Sequence, residues 1–172
     1  AAWLTSGPII LQKITGLSAV QYGWGYFSTG LVFIIGSIIN IKVLHYFNVR
    51  HAIKIGILFM SIAALLMFGF STLGYTNAFV IIGPVMLVFL AASFIFPNSF
   101  AAAIKPFTKI AGISSAVFGS SRMLGGAITS SLIALSGKHN QMPMAVAFSI
   151  CAALAWFFYY LATKNNLAVD EN

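Results

Sequence analysis

Ile55 to Ile104 reads IGILFMSIAALLMFGFSTLGYTNAFVIIGPVMLVFLAASFIFPNSFAAAI, fifty consecutive residues without a formal charge. A mostly apolar run of about 18 residues is already long enough to cross a bilayer as a helix, so this stretch has room for two crossings. It divides at Leu73-Gly74-Tyr75-Thr76-Asn77, where the polar and glycine punctuation of a turn interrupts the apolar pattern. Ile14 to Ile41 is also free of formal charge, and the chain's two acids, Asp170 and Glu171, fall within its last three positions. With 60% hydrophobic and 6% charged residues and a mean hydropathy of +0.97, too little polar surface exists to clothe a water-soluble core. The fold class is an all-α membrane protein whose solvent is lipid.

The same reading places full spans near Val20 to Ile41, Ala52 to Thr72, Ala78 to Ile104, Ala111 to Leu135 and Met142 to Thr163, with a partial span at Ala1 to Gln12. Twelve helical residues rise only about 18 Å against a hydrocarbon core about 30 Å thick. No pattern of basic n-region, apolar h-region and cleavage site is present, and Gly7-Pro8 interrupts the segment. Residues 1–12 are therefore expected to be the truncated end of a spanning helix, which makes the sequence a fragment of a longer protein. Residues 13–163 carry the five further spans, and 164–172 form a tail.

The bases alternate by side. Lys42, Arg50, Lys54, Lys105, Lys109 and Lys164 fall on one side, against Lys13 and Lys138 on the other. The positive-inside rule puts the first group and the C-terminus in the cytoplasm of a multi-pass membrane protein.

A net charge of +7 would point to nucleic acid in a soluble chain, but here the bases flank apolar spans, where anionic headgroups are the nearer partner. Nucleic acid is not an expected partner. Cys151 stands alone in an apolar run, and His45, His51 and His139 lack ligand spacing, so no disulfide and no metal site is expected. Ser114, Ser115, Ser120 and Ser121 have no histidine or acid at helical spacing, which argues against an enzyme.

Two runs carry a family resemblance. Gly36-Ser-Ile-Ile-Asn40-Ile-Lys42-Val-Leu-His-Tyr-Phe-Asn-Val-Arg50-His-Ala-Ile-Lys54 resembles the glycine-to-basic loop between the second and third helices of each half of a major facilitator superfamily transporter. Phe96-Pro97-Asn98-Ser99-Phe-Ala-Ala-Ala-Ile-Lys105-Pro106-Phe107, with Ala111-Gly112-Ile-Ser-Ser115-Ala116, Gly119 and Gly125-Gly126-Ala127, resembles the tenth and eleventh helices of the Bcr/CflA drug-efflux group. Gly7-Pro8-Ile-Ile-Leu-Gln12 and Gln141-Met142-Pro143-Met144 resemble parts of that group's seventh and twelfth helices. The resemblance implies the six-helix C-terminal half of a major facilitator fold, its first helix cut short, whose N-terminal six-helix half is missing. It also implies proton-coupled efflux of small molecules or drugs by alternating access, driven by the proton gradient with no cofactor. The basic loop, including Gly36 and Arg50, would act as a conformational latch. Arg122 departs from the group's pattern, which has an uncharged residue there.

Arg122 lies about mid-membrane in its helix, where a charge costs at least about 2.5 kcal/mol and must be compensated. Ser115, Gly119, Arg122, Gly126 and Thr129 share one helical stripe, expected to face protein or a cavity. Arg122 is the lead candidate to hold an anionic substrate group or pair with a carboxylate from the other half; satisfaction by backbone carbonyls and water is the plainer alternative. Tyr22, Tyr26, Thr29, Phe33 and Asn40 form a second candidate face suited to amphipathic ligands, with an outer interfacial belt as the alternative for the tyrosines. Gly23, Gly30 and Ser37 mark a neighbouring stripe expected to pack on another helix. Pro97 frees the carbonyl of Ser93 and is expected to kink its helix, and Asn98 beside it either bonds across helices or lines the substrate path. A competing reading is a non-transporting membrane subunit or assembly module in which Arg122 pairs with a partner helix.

Overall fold

Ser18 caps the first described helix by a reciprocal pair of bonds. The Gln21 N–H donates to Ser18 Oγ at 3.3 Å, and the Ser18 N–H donates to Gln21 Oε1 at 3.0 Å, which satisfies two amides that the helix itself leaves open. In the computed structural model, which describes residues 18–74, 77–135 and 142–170, this helix is α1, Ala19–Tyr46. It is followed by α2, Val49–Thr72, and α3, Ala78–Ile104. A 3₁₀ segment over Lys105–Ile110 leads into α4, Ala111–Leu135, and α5 covers Met142–Asp170.

Five helices are thus found among the described residues, where the sequence reading has six. The expected partial span at 1–12 lies outside the described residues. Four of the helices are long and apolar enough to cross a membrane: Val20–Tyr46, Val49–Thr72, Phe79–Phe107 and Met142–Lys164. α4 forms over the residues read as a full span but does not join that group, because Arg122 and its many glycines and serines dilute its hydropathy.

The apolar runs also understate the helices. α1 continues past Ile41 through Lys42 and His45 to Tyr46, and α2 starts at Val49, so Phe47 and Asn48 alone join them. α5 likewise runs past Thr163 through Lys164 to Asp170, so the expected tail is helical as far as that residue. A helix satisfies its own backbone in hydrocarbon and in headgroups alike, so its end is set by a breaker or cap and not by the last apolar side chain. After α2 the breaker is Gly74, whose φ of +72° is the left-handed conformation that closes a helix C-terminus. After α3 it is the Pro106 segment, where Phe107 leaves helical geometry at φ −116°, ψ 34°. Pro97 does not interrupt α3.

α3 is the central element. It packs along α1 on one side and α2 on another, while α5 packs on α2 and α4 touches the group more lightly through α3 and α5. Ala64, Met67, Ile81, Val85, Met144, Ala145, Phe148 and Ala152 from α2, α3 and α5 make the core. Glycines permit close helix approaches at two points. A β-carbon at Gly56 would stand 3.0 Å from the Ala91 carbonyl oxygen and 2.6 Å from Ile95 Cγ1, and one at Gly36 would overlap Ser93 Oγ. Close backbone approach through small residues is how helices gain dispersion contacts when lipid competes for every apolar surface. Two polar contacts tie α2 to α5: Trp156 Nε1 donates to Ser61 Oγ at 3.0 Å and Ser71 Oγ to Met142 Sδ at 3.2 Å. The outer surface carries Val20, Ile38, Leu65, Phe79, Ile113, Leu124 and Leu132 exposed, a greasy exterior that only a lipid or protein environment accommodates.

Candidate functional site

Asn40 on α1 and Asn98 on α3 lie 58 positions apart in the chain and meet in the helix seam, each only 3% exposed. Asn98 Nδ2 donates to Asn40 Oδ1 at 2.9 Å and to the Phe94 carbonyl at 2.7 Å. Because a carbonyl can only accept, Phe94 fixes which way the Asn98 amide is turned. Its nitrogen then faces Asn40, whose oxygen must answer it. Both hydrogens of Asn98 Nδ2 are thereby used. The amide hydrogens of Asn40 find no acceptor among the described residues, and an unsatisfied buried donor costs about 1–3 kcal/mol.

The seam reaches this point through a stripe of small or polar α1 residues. Gly25, Thr29, Gly36 and Asn40 are all buried or half-buried. Gly25 lies against Ile82, whose Cδ1 would be 3.1 Å from an added β-carbon, and Thr29 Oγ1 donates to its own helix at the Tyr26 carbonyl. Where the seam opens, Phe33, Ser37, Asn40 and Ile41 of α1 face Phe96, Pro97 and Phe100 of α3 across a cleft of about 350 Å³. Ser37 Oγ donates to the Phe33 carbonyl at 2.8 Å.

Arg122 on α4 bears on the same aromatic wall. Its guanidinium carbon sits 3.8 Å from the centroid of the Phe96 ring, and Phe118 meets both Phe96 and Phe100 edge-on at 6.2 and 5.2 Å. The ring's electron-rich face thus supplies part of the compensation that a cation in this setting needs. Ser115, Gly119, Gly126 and Thr129 are half-buried on the face of α4 that Arg122 shares, although Arg122 itself is exposed. Ser115 Oγ donates to the Ala111 carbonyl at 2.7 Å, and an added β-carbon at Gly119 would meet open space.

The sequence-derived candidates therefore separate into groups. Asn98, Pro97 and Arg122 converge on the cleft and its aromatic wall, with Gly36 close by at the helix crossing. Tyr22 and Tyr26 sit with tilted rings 6.1 Å apart near the opposite end of α1, and the 18 positions from Tyr22 to Asn40 correspond to about 27 Å of helix. Tyr22 packs on the core and Tyr26 is exposed, whereas Thr29 is 1% exposed within the helix seam. Arg50 is exposed in the first turn of α2. The expected packing stripe of Gly23, Gly30 and Ser37 faces no neighbour at its glycines, since an added β-carbon at Gly23 or Gly30 would meet open space. The stripe two positions on, through Gly25 and Gly36, makes the contact instead. Phe96 and Phe100 do not stand out in the sequence as site residues; an arginine in an apolar helix without an acid in reach is the signal there for an aromatic partner. Among the described residues, no three His, Cys, Asp or Glu side chains come together to hold a metal ion.

Long apolar helices, an apolar exterior and a seam built on glycine and asparagine define an all-helical, multi-pass membrane protein. The chain is similar to the bicyclomycin resistance protein homolog of Haemophilus influenzae, with 25% identity over 173 residues. That similarity covers 96% of this chain and 42% of the relative, so the chain spans less than half the length of the protein it matches. It agrees with the resemblance to the Bcr/CflA drug-efflux group drawn from Phe96–Phe107 and Ala111–Ala127. No family model and no solved structure matches the chain.

Proposed function

We propose that this chain is the C-terminal half of a proton-coupled major facilitator transporter that moves small molecules out of the cell across the inner membrane. The similarity to a resistance protein homolog over nearly the whole chain carries the reading, and four helices able to cross a bilayer support it. In this reading a second six-helix half completes the substrate path, the C-terminus lies in the cytoplasm, and α1, α3 and α4 rock against that half. A titrating group for proton coupling would come from the other half, because the acids of this chain are confined to Asp170 and Glu171. Arg122, steadied on Phe96, would present its free N–H groups to an anionic substrate group or to a carboxylate of the other half.

The test is substrate-dependent proton flux in inside-out vesicles holding the intact protein, across a panel of cationic, neutral and anionic solutes. Proton release from the vesicle lumen on adding at least one solute class, abolished by an uncoupler, is expected. Absence of solute-dependent flux across the whole panel, with the protein present and folded in the membrane, would reject transport in favour of a non-transporting subunit.

A further inference from the structure

The asparagine pair leaves one group over, and that group belongs to a residue in the wall of a cleft. Asn40 is 3% exposed, its oxygen is engaged by Asn98, and its two amide hydrogens have no acceptor among the described residues. The cleft it lines is shallow and open, about 350 Å³, with room for a small molecule to lie against its wall. Phe33, Phe96 and Phe100 supply flat apolar surface on both sides, and Pro97 contributes no N–H. Ser37 has spent its hydrogen on the Phe33 carbonyl. None of the lining residues is acidic, and the charge that touches the wall is the Arg122 guanidinium on the Phe96 ring.

We propose that the cleft between α1 and α3 binds a neutral, amphipathic small molecule with an aromatic body and a carbonyl oxygen, the oxygen accepting from Asn40 Nδ2. The aromatic body lies on Phe33, Phe96 and Phe100, where its burial drives binding and the buried amide decides which molecules stay. A site whose buried donor has no other acceptor discriminates strongly against an analogue lacking the oxygen, because the donor is then left unpaired. No carboxylate in the wall stands ready to pair with a cation, and the Arg122 guanidinium already rests on the Phe96 ring. The site goes beyond the transport reading, since binding to it requires neither a gradient nor turnover.

Tritiated benzophenone, two aromatic rings joined by one carbonyl, is the probe. It is photolysed with the intact protein in membrane vesicles without an ion gradient, and the adducts are mapped. Saturable labelling confined to residues 33–41 and 94–100 is expected. Unlabelled benzophenone should compete about tenfold better than diphenylmethane, which has the same rings without the oxygen. Asn40→Leu should weaken labelling by a similar factor and Phe100→Ala by several-fold. Unsaturable labelling spread over the lipid-facing helices, saturable labelling elsewhere, or equal competition by the two compounds would overturn the proposal. If Asn40→Leu does not accumulate, the competition on the unaltered protein decides by itself. A protein that fails to transport but labels as described would reject only the transport reading.

Discussion

Gly36→Ala tests the seam between α1 and α3 at its tightest point. The added methyl would overlap Ser93 Oγ and come within 2.8 Å of Leu90 Cδ1 and 3.1 Å of Ser93 Cβ. Leu90 can swing aside, but Ser93 is fully buried and its hydroxyl is held by the Leu90 carbonyl at 2.7 Å. Overpacking of this kind costs about 1–3 kcal/mol. Alanine also favours the helix over glycine by about 1 kcal/mol, which would mask part of that penalty. Gly30→Ala removes the ambiguity, because Gly30 lies in the same helix and its new methyl would meet open space. Propensity cancels between the two variants, so Gly36→Ala should be less stable than Gly30→Ala by about 2 kcal/mol, roughly thirtyfold in the unfolding equilibrium. Reversible denaturation in mixed micelles, followed by circular dichroism, reads the difference. Adding Ser93→Ala, which removes the overlapping oxygen, should recover part of the loss. Equal stability of the two glycine variants would mean that α1 does not cross α3 at Gly36.

At the other crossing, Gly56→Ala should be at least as damaging as Gly36→Ala in the same denaturation experiment, because one obstacle is the Ala91 carbonyl oxygen at 3.0 Å, and backbone cannot rotate away. Trp156→Phe keeps a ring between α5 and α2 but removes the 3.0 Å bond to Ser61; a loss of about 0.6 kcal/mol is expected, and no loss would place that bond outside the folded ensemble in lipid. Phe96→Leu should destabilise by about 0.5–1 kcal/mol through the lost cation–π contact with Arg122, whereas Arg122→Gln also relieves the cost of a charge in the bilayer and reads the contact only in combination with Phe96→Leu. Their double-mutant cycle should show coupling of that size, whereas strict additivity would separate the two residues.

Much of the helical layout is legible in the sequence, because lipid imposes length and continuity on anything that crosses it. α3 begins and ends where its apolar run does, at Ala78 and Ile104, and Gly74 marks the preceding turn. What stays hidden is which way each helix faces. α1 is apolar on every side, so its hydrophobic pattern does not distinguish lipid from protein, and two small-residue stripes compete for the same rule. Gly23-Gly30-Ser37 has the more regular spacing, yet the glycine that fits Ser93 is Gly36. Partnership across the chain is hidden for a similar reason. Asn40 and Asn98 each stand out as polar residues in apolar helices, but their bond is decided by how α1 and α3 cross. The stacking of Arg122 on Phe96 depends on where the Phe107 break sends α4, and the surrounding residues do not announce that angle.

Gradient-driven solute movement tests the transporter reading most directly. The intact protein, reconstituted alone in proteoliposomes with an acidic lumen, should accumulate a neutral or anionic aromatic solute against its concentration gradient and lose that capacity when an uncoupler collapses the pH difference. Equal solute uptake in liposomes with and without the protein, at every imposed pH difference, would contradict it.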